Sequence, residues 1–476
     1  MYDVVIIGCG IMGSATAYYL SRYNLRVAVL EQHNDVCMET TRANSAIIHA
    51  GYDPKPGSKC AKFNVQGNEL AKEICEKLDV AYKQIGSLVV AFSEKELDTV
   101  GELYERGVKN GVPDIKLVNQ DELRKMEPQI SDSALGALYA PTAAIVNPWE
   151  YGIAMAETAV NNGAEIFLST KVEDIKRDGD MWNIVTDNGD FSAKYVVNAT
   201  GVYSDDIHNI VAEPTFKITP SAGEYYLLDK VEGTRVNHVI FQCPNELGKG
   251  VLVAPTVHGN LIVGPNAIKS AKDDTTTKTA SLDFVREKAL KSIPTINFRE
   301  NIRNFTGVRA NSDYDDFIID FAADNFVDLA GIKSPGLSAA PAIAQEVICM
   351  LAEKGLELNE KVNFIDTREH IRFKNLSEEE KNTLIAKHAA YGRVVCRCET
   401  ITEGEIIEAM KSPIPPVSLD GIKRRAGTGM GRCQGGFCGP KVLEIMANFK
   451  EVEYEDILQD DTGSYILTGE TKARRD

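Results

Sequence analysis

Four cysteines stand close together near the C-terminal end of the chain, as Cys396-x-Cys398, a long spacer, and Cys433-x4-Cys438. Thiolates gathered in a reducing compartment point to metal rather than to disulfides. Two chemistries suit them, an iron–sulfur cluster and structural zinc. Cys-x-Cys is unusual in zinc ribbons, and the run Arg432-Cys433-Gln434-Gly435-Gly436-Phe437-Cys438-Gly439-Pro440 is rich in glycine. Such backbone can wrap a cluster and point N–H groups at its sulfurs, so the cluster is preferred. The N-terminal end offers a second chemistry. Gly8-Cys9-Gly10-Ile11-Met12-Gly13 carries the spacing that presents bare N–H groups to a pyrophosphate at a helix N-terminus. Glu31 is placed to accept from adenosine ribose hydroxyls and to disfavour a 2′-phosphate. The fingerprint predicts dinucleotide binding and does not separate NAD from FAD.

The elements that must position these groups are legible as a pattern. Val4-Val5-Ile6-Ile7 and Val27-Ala28-Val29-Leu30 are apolar runs suited to buried parallel strands, with a helix over 14–23 between them. Tyr195-Val196-Val197-Asn198-Ala199-Thr200-Gly201 repeats the buried strand entering a glycine turn, and the run 326–331 leads into Ile332-Lys333-Ser334-Pro335-Gly336-Leu337. The cofactor sheet is thus visited at least three times. The loop 34–45 offers hydroxyl and amide groups from Glu39-Thr40-Thr41-Arg42-Ala43-Asn44-Ser45. Helices are expected over 60–78, 94–110, 122–127, 149–162, 281–292 and about 339–354. Strands are expected over 87–92, 165–168, 182–186 pairing with 191–193, 305–309 and 316–320. The stretches 218–228 and 236–263 have the spacing of an antiparallel sheet. A charged helical connection with the capping box Ser377-Glu378-Glu379-Glu380 precedes a small module from Tyr391.

Composition bounds the partners. The chain has 476 residues and a net charge of −17, which argues against nucleic-acid binding and requires local cations for any anionic substrate. No apolar run approaches a membrane span. The first strand begins at once and leaves no room for a signal peptide, so the expected compartment is the cytosol, with peripheral membrane contact only through a partner. Cys9, Cys37, Cys60, Cys75, Cys243 and Cys349 are scattered and read as small buried apolar residues.

The order of motifs resembles the D-amino-acid-oxidase-like flavoproteins. The N-terminal glycine turn with Glu31, Asn198-Ala199-Thr200-Gly201 and Lys333-Ser334-Pro335-Gly336-Leu337 look like that superfamily's FAD-binding elements. The loop 39–45, Ile48-His49-Ala50-Gly51, Gly223-Glu224-Tyr225-Tyr226-Leu227-Leu228-Asp229 and Gly307-Val308-Arg309 look like FAD-dependent glycerol-3-phosphate dehydrogenases and oxidases. L-2-Hydroxyglutarate oxidases share the pattern. The resemblance covers roughly the first three quarters of the chain. One departure is Ala46, where these enzymes usually carry glycine. The C-terminal module resembles the bacterioferritin-associated-ferredoxin-like [2Fe–2S] domain, with Cys396, Cys398, Cys433 and Cys438 as ligands; a flavin gives that cluster a job.

The resemblance implies an α/β fold: a Rossmann-like FAD-binding domain, an inserted antiparallel-sheet substrate domain and a small helical [2Fe–2S] domain. The oxidoreductase part is expected over 1–365, with FAD-binding segments about 1–80, 145–215 and 300–365 and substrate segments about 81–144 and 216–299. A linker over 366–390 and the cluster domain over 391–476 follow. Cofactor contacts are implied for Gly8, Gly10, Ile11, Met12, Gly13, Glu31, Thr40, Thr41, Asn44, Ser45, Val172, Thr200, Gly201, Gly307, Gly331, Lys333, Ser334, Pro335, Gly336 and Leu337.

A flavin that oxidises an alcohol needs a base for the hydroxyl proton and cations for an anionic tail. His49 is the candidate base, and Arg309 resembles the arginine that grips the substrate anion. Tyr226, Lys249 and Ser334 are expected beside them. Each has a plainer reading, such as a backbone-bonded histidine, a surface ion pair or a hairpin-tip lysine. The implied activity is oxidation of sn-glycerol 3-phosphate, with electrons leaving through the cluster to an acceptor protein or companion subunits. A 2-hydroxy acid, an amino or imino acid, and a redox-sensing role are the competing readings.

Overall fold

The computed structural model describes residues 1–244, 250–469 and 471–472. The chain divides into two compact units, Met1–Leu30 with Cys37–Arg368, and Glu31–Val36 with Glu369–Asp476.

The first unit is built on two large sheets. In the eight-stranded sheet, Gly189–Asn198, Tyr2–Ile7, Val27–Leu30 and Glu165–Phe167 lie side by side. Tyr2–Ile7 pairs in parallel with both neighbours, Val4 opposite Val27 and Tyr195. Phe326–Ala330 adds in parallel to Gly189–Asn198. Val4, Val5 and Ile6 have no exposed surface, as a strand covered on both faces requires. The helices Ile11–Leu20, Pro148–Asn161 and Gly336–Glu353 pack together, and Lys59–Lys77 crosses Gly336–Glu353. That crossing is close, because a Cβ on Gly67 would lie 2.1 Å from Ser338 O.

Three expectations change here. The strands foreseen separately at 191–193 and 195–198 are one ten-residue strand, Gly189–Asn198, which pairs antiparallel with Met181–Thr186 over its first half and parallel with Tyr2–Ile7 from Ala193 to Asn198. An edge strand, Val172–Asp178, is added; its mostly exposed, charged sequence gives no apolar signal. The first helix begins at Ile11 rather than at residue 14, so Met12 and Gly13 lie in its first turn.

The nine-stranded sheet joins Ser87–Ala91, Gly136–Ala140 and Lys116–Asn119 to Ser221–Leu228, Val239–Gln242, Leu252–Pro255 and Leu261–Gly264. It is antiparallel except where Val239–Gln242 runs parallel to Ser87–Ala91. Asn301–Arg309, expected with the cofactor sheet, pairs with Ser221–Leu228 in this one. Side chains alternate across it. One face buries Val89, Leu138, Tyr225, Phe241 and Ile262. The other buries Leu88, Ala137, Leu228, Ile240 and Val253 against Val285 and Ala289 of the helix Thr279–Ser292.

The second unit is small and mostly helical. Ser377 and Glu380 form the expected capping box of the helix Glu378–Lys387. Thr402 and Glu405 form another at Glu403–Met410. Ile406, Ile422 and Met446, from Glu403–Met410, Leu419–Ala426 and Gly439–Lys450, are fully buried at the centre. Among the described residues, no helix is long and apolar enough to cross a membrane.

Candidate active site and cysteine centre

The glycine turn has the shape its sequence demands. Gly8 holds φ +94, a left-handed backbone that side chains avoid, and a Cβ there would lie 2.7 Å from Ala199 O. Gly10 begins the helix Ile11–Leu20 with no side-chain cap and no acidic residue in the first turn. Ile11 N donates to Thr41 Oγ1 at 2.9 Å, and the first intrahelical bond is Ser14 N to Gly10 O. An uncapped N-terminus with its first-turn N–H groups beside a threonine hydroxyl fits a pyrophosphate. Glu31 follows the strand Val27–Leu30 directly, and His33 N donates to its Oε1 at 3.0 Å.

The loop 39–45 is tied down by its own polar groups. Thr40 Oγ1 donates to Val308 O at 2.6 Å, and Asn44 Nδ2 donates to the carbonyls of Thr40 and Thr41. Ala46 N donates back to Asn44 Oδ1 at 2.7 Å. Ala46 itself sits at φ +59, which explains why glycine suits the position; alanine there costs about 1–2 kcal/mol. Gly307 lies against this loop so closely that a Cβ would stand 1.8 Å from Ala43 O.

The second and third returns are also fixed. Thr200 Oγ1 donates to Asn198 Oδ1 at 2.6 Å, and Asn198 Nδ2 donates to the buried Asp328, which bonds His208 Nδ1 at 2.6 Å. Gly201 follows at φ +58. Gly331 turns at φ +63, and Gly336 N donates to Lys333 O, closing the turn that holds Ser334, Pro335 and Leu337. Lys333 is exposed to solvent. Val172 begins the edge strand and packs on the cluster containing Ile7 and Leu30.

On the substrate side the structure brings His49 and Ser334 together, with Nε2 and Oγ 3.2 Å apart. The imidazole stacks on Phe241 at 5.8 Å. Its backbone is clamped: His49 N donates to Ser338 Oγ, and Asn64 and Asn68 donate to its carbonyl. Arg309 lies opposite Ser221 in register. Its guanidinium covers Gly223, where a Cβ would meet Nη2 at 2.1 Å, and Nη2 donates to Asn266 O at 3.2 Å. Among the described residues no carboxylate pairs with it, so the surface ion-pair reading falls.

Tyr226 and Tyr225 fall on opposite faces of the sheet. Tyr226 faces Phe298 edge-on, beside the cluster on the Thr279–Ser292 side of the sheet. Its neighbour Tyr225 lies on the face that carries Phe241, stacks on Phe305 at 4.7 Å and meets Ser45 Oγ through its hydroxyl at 3.1 Å. The alternation was visible in the sequence, but its phase is set by partners on other strands. Lys249 lies outside the described residues.

The four cysteines form two pairs. Cys398 Sγ and Cys433 Sγ are 3.5 Å apart, and Cys396 lies beside Cys438. The Gly429 N–H lies near the sulfurs of both Cys396 and Cys438, and the N–H groups of Phe437 and Gly435 lie near that of Cys433. Cys438 and the nearby N–H groups of Gly429 and Glu399 lower the Cys396 thiol below its ordinary value. Among the described residues no group of three or more candidate ligands is arranged around one ion. Zinc held by four thiolates needs all four sulfurs on one centre, whereas a [2Fe–2S] cluster places two on each iron. The paired arrangement and the N–H donors therefore fit the cluster better than zinc.

The fold and these sites define a flavin-dependent oxidoreductase with an appended cluster domain. The chain belongs to the FAD dependent oxidoreductase family, whose profile matches residues 3–350, and a BFD-like [2Fe-2S] binding domain matches residues 394–448. Its cofactors are accordingly FAD and a [2Fe–2S] cluster. It is 49% identical to a glycerol 3-phosphate dehydrogenase of Caloramator mitchellensis, over 99% of both chains. A glycerol 3-phosphate oxidase of Mycoplasma genitalium is 34% identical over 76% of this chain and 97% of its own. The structure of an L-alpha-glycerophosphate oxidase from Mycoplasma pneumoniae with FAD bound superposes with a TM-score of 0.74 at 32% identity, covering 77% of this chain and 98% of that one.

Proposed function

We propose that the chain oxidises sn-glycerol 3-phosphate to dihydroxyacetone phosphate and passes the electrons singly to an acceptor protein. The observation that carries this reading is the 49% identity to a glycerol 3-phosphate dehydrogenase along the full length, both domains included. Bound FAD supplies the hydride acceptor, and the cluster supplies a one-electron relay. His49 takes the proton of the substrate hydroxyl, directly or through a water, as hydride leaves the carbon. Ser334 and Phe241 hold the imidazole for that transfer. Arg309 holds the phosphate, on the sheet face that also carries Tyr225. The enzyme works in the cytosol, reaching a membrane surface only through its acceptor.

The test is anaerobic bleaching of the bound flavin. Rapid bleaching by glycerol 3-phosphate, with none by L-2-hydroxyglutarate, is expected. The opposite order would move the enzyme to 2-hydroxy acids, and silence with both would turn attention to amino acids. Arg309→Ala is expected to raise KM for glycerol 3-phosphate about ten- to a hundredfold, the worth of a charge-assisted bond, with flavin still bound. Normal steady-state kinetics in that variant would remove Arg309 from the site.

A further inference from the structure

The second unit contains a buried charge cluster that takes no part in the chemistry above. Asp35 lies in the segment Glu31–Val36, which belongs to this unit. Its side chain is 1% exposed. Arg424 donates to Asp35 Oδ2 through Nη2 at 2.8 Å and Nε at 3.2 Å. Arg425 bridges both oxygens, with Nη2 to Oδ1 at 2.8 Å and Nη1 to Oδ2 at 2.9 Å. Arg425 Nη1 also donates to Gly421 O, and Arg424 Nη1 donates to Asp460 Oδ1 at 2.9 Å. Asn34 Nδ2 donates to Asp460 O, and His33 pairs with Asp461, so the segment is held along its length. The two guanidiniums hold the Asp35 carboxyl down at about 2 against its own burial.

The position of the two arginines gives the cluster its meaning. They form the last turn of the helix Leu419–Ala426, which ends on Gly427 at φ +85. The chain beyond that cap delivers Gly429, whose N–H lies near the sulfurs of Cys396 and Cys438. Gly431 follows, close enough to Cys398 that a Cβ would lie 2.4 Å from Cys398 Cβ. A carboxylate that fixes the end of this helix thereby fixes the origin of the glycine turn. We propose that Asp35 is a positioning residue for the iron–sulfur cluster: by clamping Arg424 and Arg425 it aims the Gly429 N–H at the cluster thiolates and so sets the reduction potential. Hydrogen bonds to the sulfurs stabilise the reduced, more negative cluster and are one of the protein's levers on its potential.

The sign of the change separates this from a plain charge effect. Removing the Asp35 charge leaves an extra positive charge nearby, which by Coulomb attraction alone raises the potential. Loosening the Gly429 N–H lowers it. In an EPR-monitored redox titration of the full-length holoprotein, Asp35→Asn is expected to lower the cluster midpoint and alter its line shape. The double variant Asp35→Asn/Arg425→Gln keeps the buried charges balanced and removes the clamp; it too is expected to titrate below the parent. A raised or unchanged midpoint in Asp35→Asn, or a parental value in the double variant, overturns the proposal. Loss of the cluster from both variants also overturns it, because Asp35 then serves the fold of the unit. A parent protein that gives no EPR signal on reduction overturns it together with the cluster assignment.

Discussion

His49→Gln is expected to slow anaerobic flavin reduction by glycerol 3-phosphate by about 10²–10⁴-fold, the usual worth of a positioned general base. Glutamine keeps a polar side chain in reach of Ser334 and leaves untouched the bonds from Ser338, Asn64 and Asn68, which all run to the His49 backbone. The loss therefore reports proton transfer rather than collapse of the loop. The pH profile adds a second reading. A histidine base gives a rate that rises with pH as the imidazole becomes neutral. That rise should vanish in His49→Gln while the flavin stays bound. A variant that retains both rate and profile would assign the base elsewhere.

Cys433→Ser is expected to abolish transfer to a one-electron acceptor while leaving substrate bleaching of the flavin at the parental rate. Cys433 pairs with Cys398 at 3.5 Å and lies near the N–H groups of Phe437 and Gly435. A serine oxygen is a poor substitute where two thiolates must share an iron. Stopped-flow bleaching and acceptor reduction, measured on one preparation, separate the two half-reactions. If bleaching is lost as well, the C-terminal unit is needed to support the flavin unit rather than to move electrons.

The parts of the fold that were legible in the sequence are those whose own side chains report their environment. The runs Val4–Ile7 and Val27–Leu30 could only be covered strands, and the glycines between them only a turn. Val172–Asp178 was invisible because an exposed edge strand can be as charged as a loop without cost; only Ile175 in it is buried. The join of 191–193 to 195–198 was hidden because Lys194, an exposed residue between two buried ones, reads as a break when the change of pairing partner is unknown. The same limit governed the site. His49, Ser334 and Arg309 were singled out from type and motif, and the structure gathers His49 and Ser334 directly. Placing Tyr226 and Tyr225 on their faces required the phase of a strand, which is fixed by Phe305 and Ser45 and by nothing adjacent in sequence. Asp35 carried no local signal, since its partners lie 389 and 390 residues away.

The membership of residues 31–36 in the second unit bears on how such a protein could be assembled or shortened. A chain ending at Arg368 would still contain Asp35, yet would lack Arg424 and Arg425, which close around it, and Asp460, which holds Arg424 in turn. It would leave the Asp35 carboxylate without the two guanidiniums that hold it. The C-terminal unit is therefore not a tail that can be grafted on or trimmed off at a single joint. Acquiring or discarding it calls for matched edits at two distant places in the coding sequence, one of them inside the oxidoreductase.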